Sequence, residues 1–190
     1  MTSGPPDLRR TVTERLDLAA VRHEDLDDLF ALHSDPRVWE HFPQGIHHHR
    51  EQTARDVAAY AEGWHRDGLA YWTARRRDDG AFVGIGGVRV VAGGRAWNTY
   101  YRLRPEQQGQ GFATELARAG RDAAVQVRPE LPVIAFLLEH NAASKATAER
   151  AGLTLAWRGP DAGNENPDAV RLVYSDRPLP AQTLGLLTGL

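Results

Sequence analysis

Two short segments carry residue types and spacings suited to chemistry. In Gln108-Gly-Gln-Gly-Phe-Ala113 a strand has just ended, Pro105 marks the turn, and two glycines two apart open a long helix. The first amides of a helix have no internal acceptors and sit at its positive end. Glycines keep side chains clear of those amides, so a diphosphate can lie directly on them. The same glycine pair also suits a plain strand–helix connection. In the second segment, Glu139-His-Asn-Ala-Ala-Ser-Lys145, a strand end runs into a helix that stops at Ala151-Gly152. Asn141 fits a helix N-cap and Gly152 a left-handed C-terminal residue. A capping Asn still has an amide group to offer a ligand. Glu139 lies two residues before Asn141, so on a continuing strand both face one side and His140 faces the other.

Other constellations are weaker. His47-His48-His49 invites a metal reading, but consecutive helical residues point about a hundred degrees apart and the His-x-x-x-His spacing is absent. A solvated helix start is expected there, with no metal. Gly84-Ile-Gly-Gly87 runs into a further strand, where a dinucleotide fingerprint needs a helix, so a β-bulge is expected instead. Among the aromatics, Trp39 and Phe42 lie on a loop near the front of the chain and are the best pocket candidates; Trp64, Trp72 and Trp97 read as core.

Composition narrows the field. The 190 residues suggest one domain with an ample core. A net charge of −2, from 23 Lys/Arg and 25 Asp/Glu, gives no reason to expect nucleic acid or an anionic membrane. The absence of Cys removes disulfides, thiolate metal sites and a covalent Cys intermediate. Lys145 is the one lysine, and no GxxxxGK loop is present. No apolar run approaches a membrane span, and residues 1–7 lack a signal-peptide core, so a cytoplasmic protein is expected.

The elements that must position these groups follow from periodicity. A loose arm over 1–10 precedes a strand at 15–18. A helix opens at His23-Glu-Asp25 and ends at Asp35-Pro36, and a second spans about 50–66, with Val57, Tyr60, Ala61 and Trp64 forming its apolar stripe. Strands at 69–75, 81–91 and 96–103 are separated by glycine turns. A helix over about 109–127, a buried strand at 133–138, a helix at 142–151 and strands at 154–158 and 170–175 complete a mixed α/β domain over 11–175. The tail, 176–190, has apolar residues without a clear pattern.

Together the two segments resemble the GNAT N-acyltransferase superfamily. Gln108-Gly-Gln-Gly-Phe-Ala113 matches its Q/R-x-x-G-x-G/A acyl-CoA loop, and Asn141-x-x-Ser144 with Glu149-Arg-x-Gly-Leu153 matches its second block. Thr13-Glu-Arg-Leu-Asp-Leu18, Asp35-Pro-Arg-Val-Trp39 and Leu103-Arg-Pro-Glu resemble the RimJ/RimL-like branch, which acetylates protein N-terminal amines. The resemblance implies a mostly antiparallel seven-stranded sheet flanked by about four helices and splayed between its fourth and fifth strands.

It further implies direct transfer from acetyl-CoA to an amine in a ternary complex. Gln108, Gly109, Gln110, Gly111, Phe112, Ala113 and Thr114 would hold the pyrophosphate. The fourth strand, through Leu103, would pair with the pantetheine arm. Asn141 would bind that arm, Ser144 would lie near the sulfur, and Lys145 would reach a phosphate or simply be solvated. Three positions depart from common patterns. Ala148 stands where many relatives carry a Tyr acid, Asn98 where the branch often has Glu, and Tyr100 where Gly is usual. Ser144 is then the nearest acid, Glu139 a candidate base, and Trp39, Phe42, Asn98 and Tyr100 the acceptor side. A weak base suits an α-amine, with a pKa of ~8, better than a lysine side chain at ~10.4. The acceptor is thus a peptide N-terminus or a small-molecule amine, including an antibiotic. The acidic first helix (Glu24, Asp25, Asp27, Asp28) is one source of carboxylates for a polycation, or a solvated face. A non-catalytic acyl-CoA sensor and a homodimer are further alternatives.

Overall fold

The computed structural model describes residues 7–162 and 164–189. The strands are β1 (Arg10–Val12), β2 (Leu16–Ala20), β3 (Tyr71–Arg76), β4 (Phe82–Val91), β5 (Ala96–Leu103), β6 (Val133–Leu138), β7 (Thr154–Pro160) and β8 (Val170–Ser175). The helices are α1 (Leu26–His33), α2 (Arg50–Asp67), α3 (Phe112–Val127), α4 (Ala142–Arg150) and α5 (Ala181–Thr188). The strands form one sheet in the order β1-β2-β3-β4-β5-β6-β8-β7, antiparallel throughout except for β5 beside β6.

The described residues thus hold eight strands and five helices, one more of each than expected. The extra strand, β1, has three residues and no alternation to reveal it; pairing of Arg10 with Ala19 and of Val12 with Asp17 makes it a strand. Of the expected arm, residues 1–6 lie outside the described residues, whereas the Leu8 carbonyl accepts the Trp72 indole N–H at 2.8 Å. The extra helix, α5, falls in the tail and packs Leu187 onto Phe136 and Trp157.

Period-two alternation sorts side chains between two helical layers. Along β6, Ala135 and Leu137 meet Ala148 of α4, while Ile134 and Phe136 meet Leu187 of α5. Along β5, Trp97 and Leu103 join Phe112 and Leu116 of α3, and Tyr100 joins the core beneath α1 and α2. Gly120 of α3 lies over Gly87 of β4, where a Cβ on Gly120 would come within 3.2 Å of the strand backbone. The strand irregularity falls beside Gly84, as the register shifts between Ala74 and Arg75.

The acidic start of the helical front divides between a solvated face, where Glu24 and Asp27 are exposed, and carboxylates tied into the fold. Asp25 accepts the Arg22 amide at 2.9 Å, Asp27 pairs with Arg50, and Asp28 takes both Arg75 at 2.5 Å and Arg104 at 3.3 Å. These carboxylates do not line the clefts described below.

Candidate active site

The sheet opens where its one parallel pair ends. β5 and β6 pair only at Trp97 with Val133 and Asn98 with Ile134; from Thr99 onward the strands have no partner in each other. Two buried polar atoms stand at the fork without a hydrogen bond among the described residues: Asn98 Oδ1 on the α1–α2 face and Thr99 Oγ1 on the α3 face. A buried polar atom left unpaired costs about 1–3 kcal/mol, so a water or a ligand group is expected to pair with each.

The loop after β5 sets up the second part of the site. Pro105–Gln107 makes one 3-10 turn, and the Gln108 side-chain amide donates to the Leu103 carbonyl at 3.3 Å. Gly109 (φ 73°) and Gly111 (φ 85°) are left-handed, which delays the start of α3 from the expected Gly109 to Phe112. A Cβ on Gly109 would meet nothing within 4 Å. Among the described residues, the amides of residues 109–114 find no acceptor, and residues 108–111 are exposed.

A carboxylate one turn into α3 pins this loop. Glu115 Oε1 accepts from Thr13 Oγ1 at 2.6 Å and from the Arg15 amide at 2.8 Å, while Oε2 accepts from Arg15 Nε at 2.8 Å. Arg15 Nη1 also donates to the Gln110 carbonyl at 2.8 Å, and its guanidinium lies 4.5 Å from the Phe112 ring centroid. Burial pushes the Glu115 carboxyl up, but Thr13 and Arg15 together outweigh it and hold the group below the ordinary glutamate range. The sequence contained Thr13, Arg15 and Glu115 without any sign that they meet.

Across the fork, Asn141 caps α4 by accepting the Ser144 amide on Oδ1 at 3.0 Å, which leaves its NH2 group for a ligand. Tyr101, which sequence reading left without a role, reaches from β5 to α4 and donates its hydroxyl to the Ser144 carbonyl at 3.2 Å. Burial pushes its phenol up, with hydrogen bonding to Ser144 and Thr147 opposing. Ala148 is buried against β6 and offers no hydroxyl; Ser144, Thr147 and Tyr101 carry the hydroxyl groups on this side. Lys145 is exposed in the first turn of α4.

Glu139 departs from the geometry of a free base. Both its oxygens accept from Arg158 on β7, at 2.6 and 2.9 Å, and this pairing lowers the carboxyl's pKa. A carboxylate so held takes a proton less readily than a free one.

On the acceptor side, the 3-10 turns Pro36–Val38 and Pro43–Gly45 shape the loop between α1 and α2. Phe42 is 39% exposed and lines a cleft of about 440 Å³ with Gln44, Phe136, Trp157, Arg171 and Leu187. Trp39 differs: it is 7% exposed and lies beneath the surface, with the Arg102 guanidinium 3.8 Å over its ring. Tyr100 stacks on Tyr71 at 5.0 Å between centroids. Arg102 donates to His41 Nε2 at 3.0 Å, which occupies the lone pair a base would use. Burial, Arg102 and His140 push His41 down to about 4, so it is neutral at pH 7.

An exposed amide cradle at a helix start, placed beside an open strand fork, is the arrangement that family comparison decides. The sequence matches the acetyltransferase (GNAT) domain over residues 15–154. The chain belongs to the GNAT acetyltransferase family. That membership makes it an acetyl-transferring enzyme and places the fork and the Gln108–Thr114 loop in a domain built for the transfer. No protein of curated function matched the sequence. Solved structures share the GNAT fold at low identity. A RimL ribosomal alpha-N-protein acetyltransferase in complex with coenzyme A superposes with a TM-score of 0.71 at 21% identity, covering 87% of this chain and 95% of that one. An acetyltransferase from Agrobacterium tumefaciens gives 0.70 at 23%, over 92% and 96% of the two chains. A microcin C7 self-immunity acetyltransferase, MccE, in complex with acetyl-CoA and AMP gives 0.70 at 14%, over 86% and 92%. No helix among the described residues is long and apolar enough to cross a membrane.

Proposed function

We propose that this GNAT enzyme moves the acetyl group of acetyl-CoA to a primary amine by direct attack in a ternary complex, with a peptide α-amine as the preferred acceptor. The observation that carries the reading is the juxtaposition of unpaired amides at 109–114 with the orphaned Asn98 Oδ1 and Thr99 Oγ1 at the fork. The amides suit a pyrophosphate. The unpartnered edge of β5 from Thr99 to Leu103 suits an extended pantetheine chain, and the free NH2 of Asn141 suits one of its carbonyls. The thioester supplies the activated acyl group. Asn98 Oδ1 is fit to accept a hydrogen bond from the incoming amine and orient it, although an amide oxygen does not take its proton.

The acceptor class follows from what is missing. With Glu139 held by Arg158 and His41 held neutral by Arg102, neither group is a strong base. An enzyme without one works best on the amine with the larger neutral fraction. At pH 7 the neutral fraction of an α-amine exceeds that of a lysine side chain by more than about 100-fold. The similarity to RimL points the same way, whereas MccE keeps a small-molecule acceptor in play.

Acetyl-CoA thiol release across N-terminal peptides, free amino acids, polyamines and aminoglycosides tests this reading. Peptides with a free N-terminus are expected to turn over at least about tenfold faster than peptides whose only amine is a lysine side chain. Faster reaction at the lysine side chain would refute it. Because His41 is pushed down to about 4 and stays neutral above that value, no change in its charge crosses the working range. The rate at subsaturating peptide is therefore expected to rise with pH and level off near the amine's own pKa, about 8.

We assign the protonation or solvation of the departing thiolate to Ser144 and Tyr101, whose side chain reaches the Ser144 carbonyl. A thiol with a pKa near ~8.5 leaves with little help. Ser144→Ala and Tyr101→Phe are accordingly expected to lower kcat by about tenfold each, with acetyl-CoA affinity within about twofold of the original.

A further inference from the structure

A second polar cluster lies at the root of the acceptor-side loop. His33 ends α1 with 1% exposure, and neither Nδ1 nor Nε2 has a hydrogen-bond partner among the described residues. Its carbonyl accepts the His47 amide at 3.0 Å and the Trp39 indole N–H at 2.8 Å, so the two ends of the 34–46 loop are tied together. That closure brings the His33 and His47 rings edge to face, with centroids 4.7 Å apart.

From the other side, α2 contributes Thr53 and Asp56. His47 Nδ1 is 2.8 Å from Thr53 Oγ1, and its Nε2 is 3.5 Å from Asp56 Oδ2. One donor atom from each of His33, His47 and Asp56 lies within 4.8 Å of the other two. When Nδ1–H donates to Thr53, the Nε2 lone pair is left 3.5 Å from a carboxylate oxygen, a separation at which two acceptors need a cation between them. Thr53 is the kind of outer partner that fixes a ligating imidazole's tautomer.

We propose that His33, His47 and Asp56 bind one zinc-type divalent cation that clamps the base of the loop carrying Trp39, His41 and Phe42. Two imidazole nitrogens and one carboxylate oxygen are the donor set of a borderline ion, and the remaining position is left for water. Bonds of about 2.0–2.1 Å in a tetrahedron separate neighbouring donors by about 3.3 Å. The His47–Asp56 separation of 3.5 Å already meets that spacing, and a His33 nitrogen lies within 4.8 Å of both partners. Partial exposure of His47 and Asp56 provides a way in. The His47–His49 run precedes α2, with His49 as its extended N-cap, rather than starting the helix as expected, and the cluster uses only its first residue. Its other members come from α1 and α2, so the spacing rule applied to consecutive histidines gave no view of it.

The test is titration of the full chain, carrying no affinity tag and stripped by chelator, with cobalt(II) followed by its visible absorption and with zinc(II) by calorimetry. One equivalent is expected to bind with a tetrahedral cobalt spectrum, and zinc is expected to raise Tm by several degrees. Asp56→Asn and His47→Ala are expected to weaken binding by at least about tenfold, with a His48→Ala/His49→Ala double variant unchanged. Asp56→Asn changes a partly exposed side chain, so it keeps the test interpretable if His47→Ala unfolds. Absence of stoichiometric binding to the wild type would overturn the assignment. So would loss of binding in the double variant with retention in Asp56→Asn, because the ion would then belong to the exposed histidines.

Discussion

Replacing Gly109 by Asp is expected to weaken acetyl-CoA binding about 100-fold, the equivalent of about 2.7 kcal/mol. Space for the new side chain is open, since a Cβ there meets nothing within 4 Å. Asp is also among the residues that tolerate the left-handed backbone of φ 73° at this position, at a cost of about 1 kcal/mol. The fold should therefore survive with Tm lowered by about 2–4 °C. The carboxylate would stand beside the amides of residues 109–114 and repel a pyrophosphate there. At a separation of ~4 Å that repulsion is worth several kcal/mol before screening. Gly109→Asn places a neutral side chain of similar size on the same backbone, and it should lose no more than about tenfold. Calorimetry with acetyl-CoA separates the outcomes. Wild-type affinity in the Asp variant would mean that the loop amides do not hold the coenzyme.

The second large effect concerns Glu115. Its carboxylate is 14% exposed and accepts from Thr13 and from the Arg15 main and side chains. Removing it in Glu115→Ala takes away these charge-assisted bonds at an expected cost of about 2–3 kcal/mol, lowering Tm by about 5–10 °C. Coenzyme affinity should fall by about tenfold as well, because Arg15 also holds the Gln110 carbonyl and would lose its anchor. The pH dependence has a definite sign. The folded-state pKa of Glu115 lies below its unfolded value, so its contribution is complete above the unfolded pKa and fades as pH falls through the folded one. The Tm gap between wild type and Glu115→Ala should be widest near pH 7 and narrow below about pH 4. A gap that grew on acidification would contradict the assigned network.

Much of the site was written locally. The glycine loop proposed for the pyrophosphate lies within residues 108–114, and the α4 cap within Asn141–Ser144, because both depend on backbone conformations and helix ends that a few neighbouring residues dictate. The same holds for the order of strands and helices from residue 15 to residue 175, which hydrophobic periodicity follows closely. β1 and α5 escaped because neither has a pattern of its own. One exists through pairing with β2, and the other through packing on Phe136 and Trp157.

Tertiary structure alone decided the partners that set each group's reactivity. Glu139 lies in a turn just beyond β6 rather than on a strand continuing to Asn141, and Arg158, nineteen residues later, holds its carboxylate and lowers its pKa. Trp39 and Phe42 stood three apart on one loop, but folding buried the first beneath Arg102 and left the second on the cleft wall. Tyr101 came to Ser144, Glu115 to Arg15, and His33 to His47 and Asp56, across separations invisible in a linear chain. Local sequence fixes torsions and periodic faces, which are short-range quantities. Proton affinity and ligand geometry depend on charges and donors within a few ångströms in space, and only the folded sheet with its two helical layers brings those together.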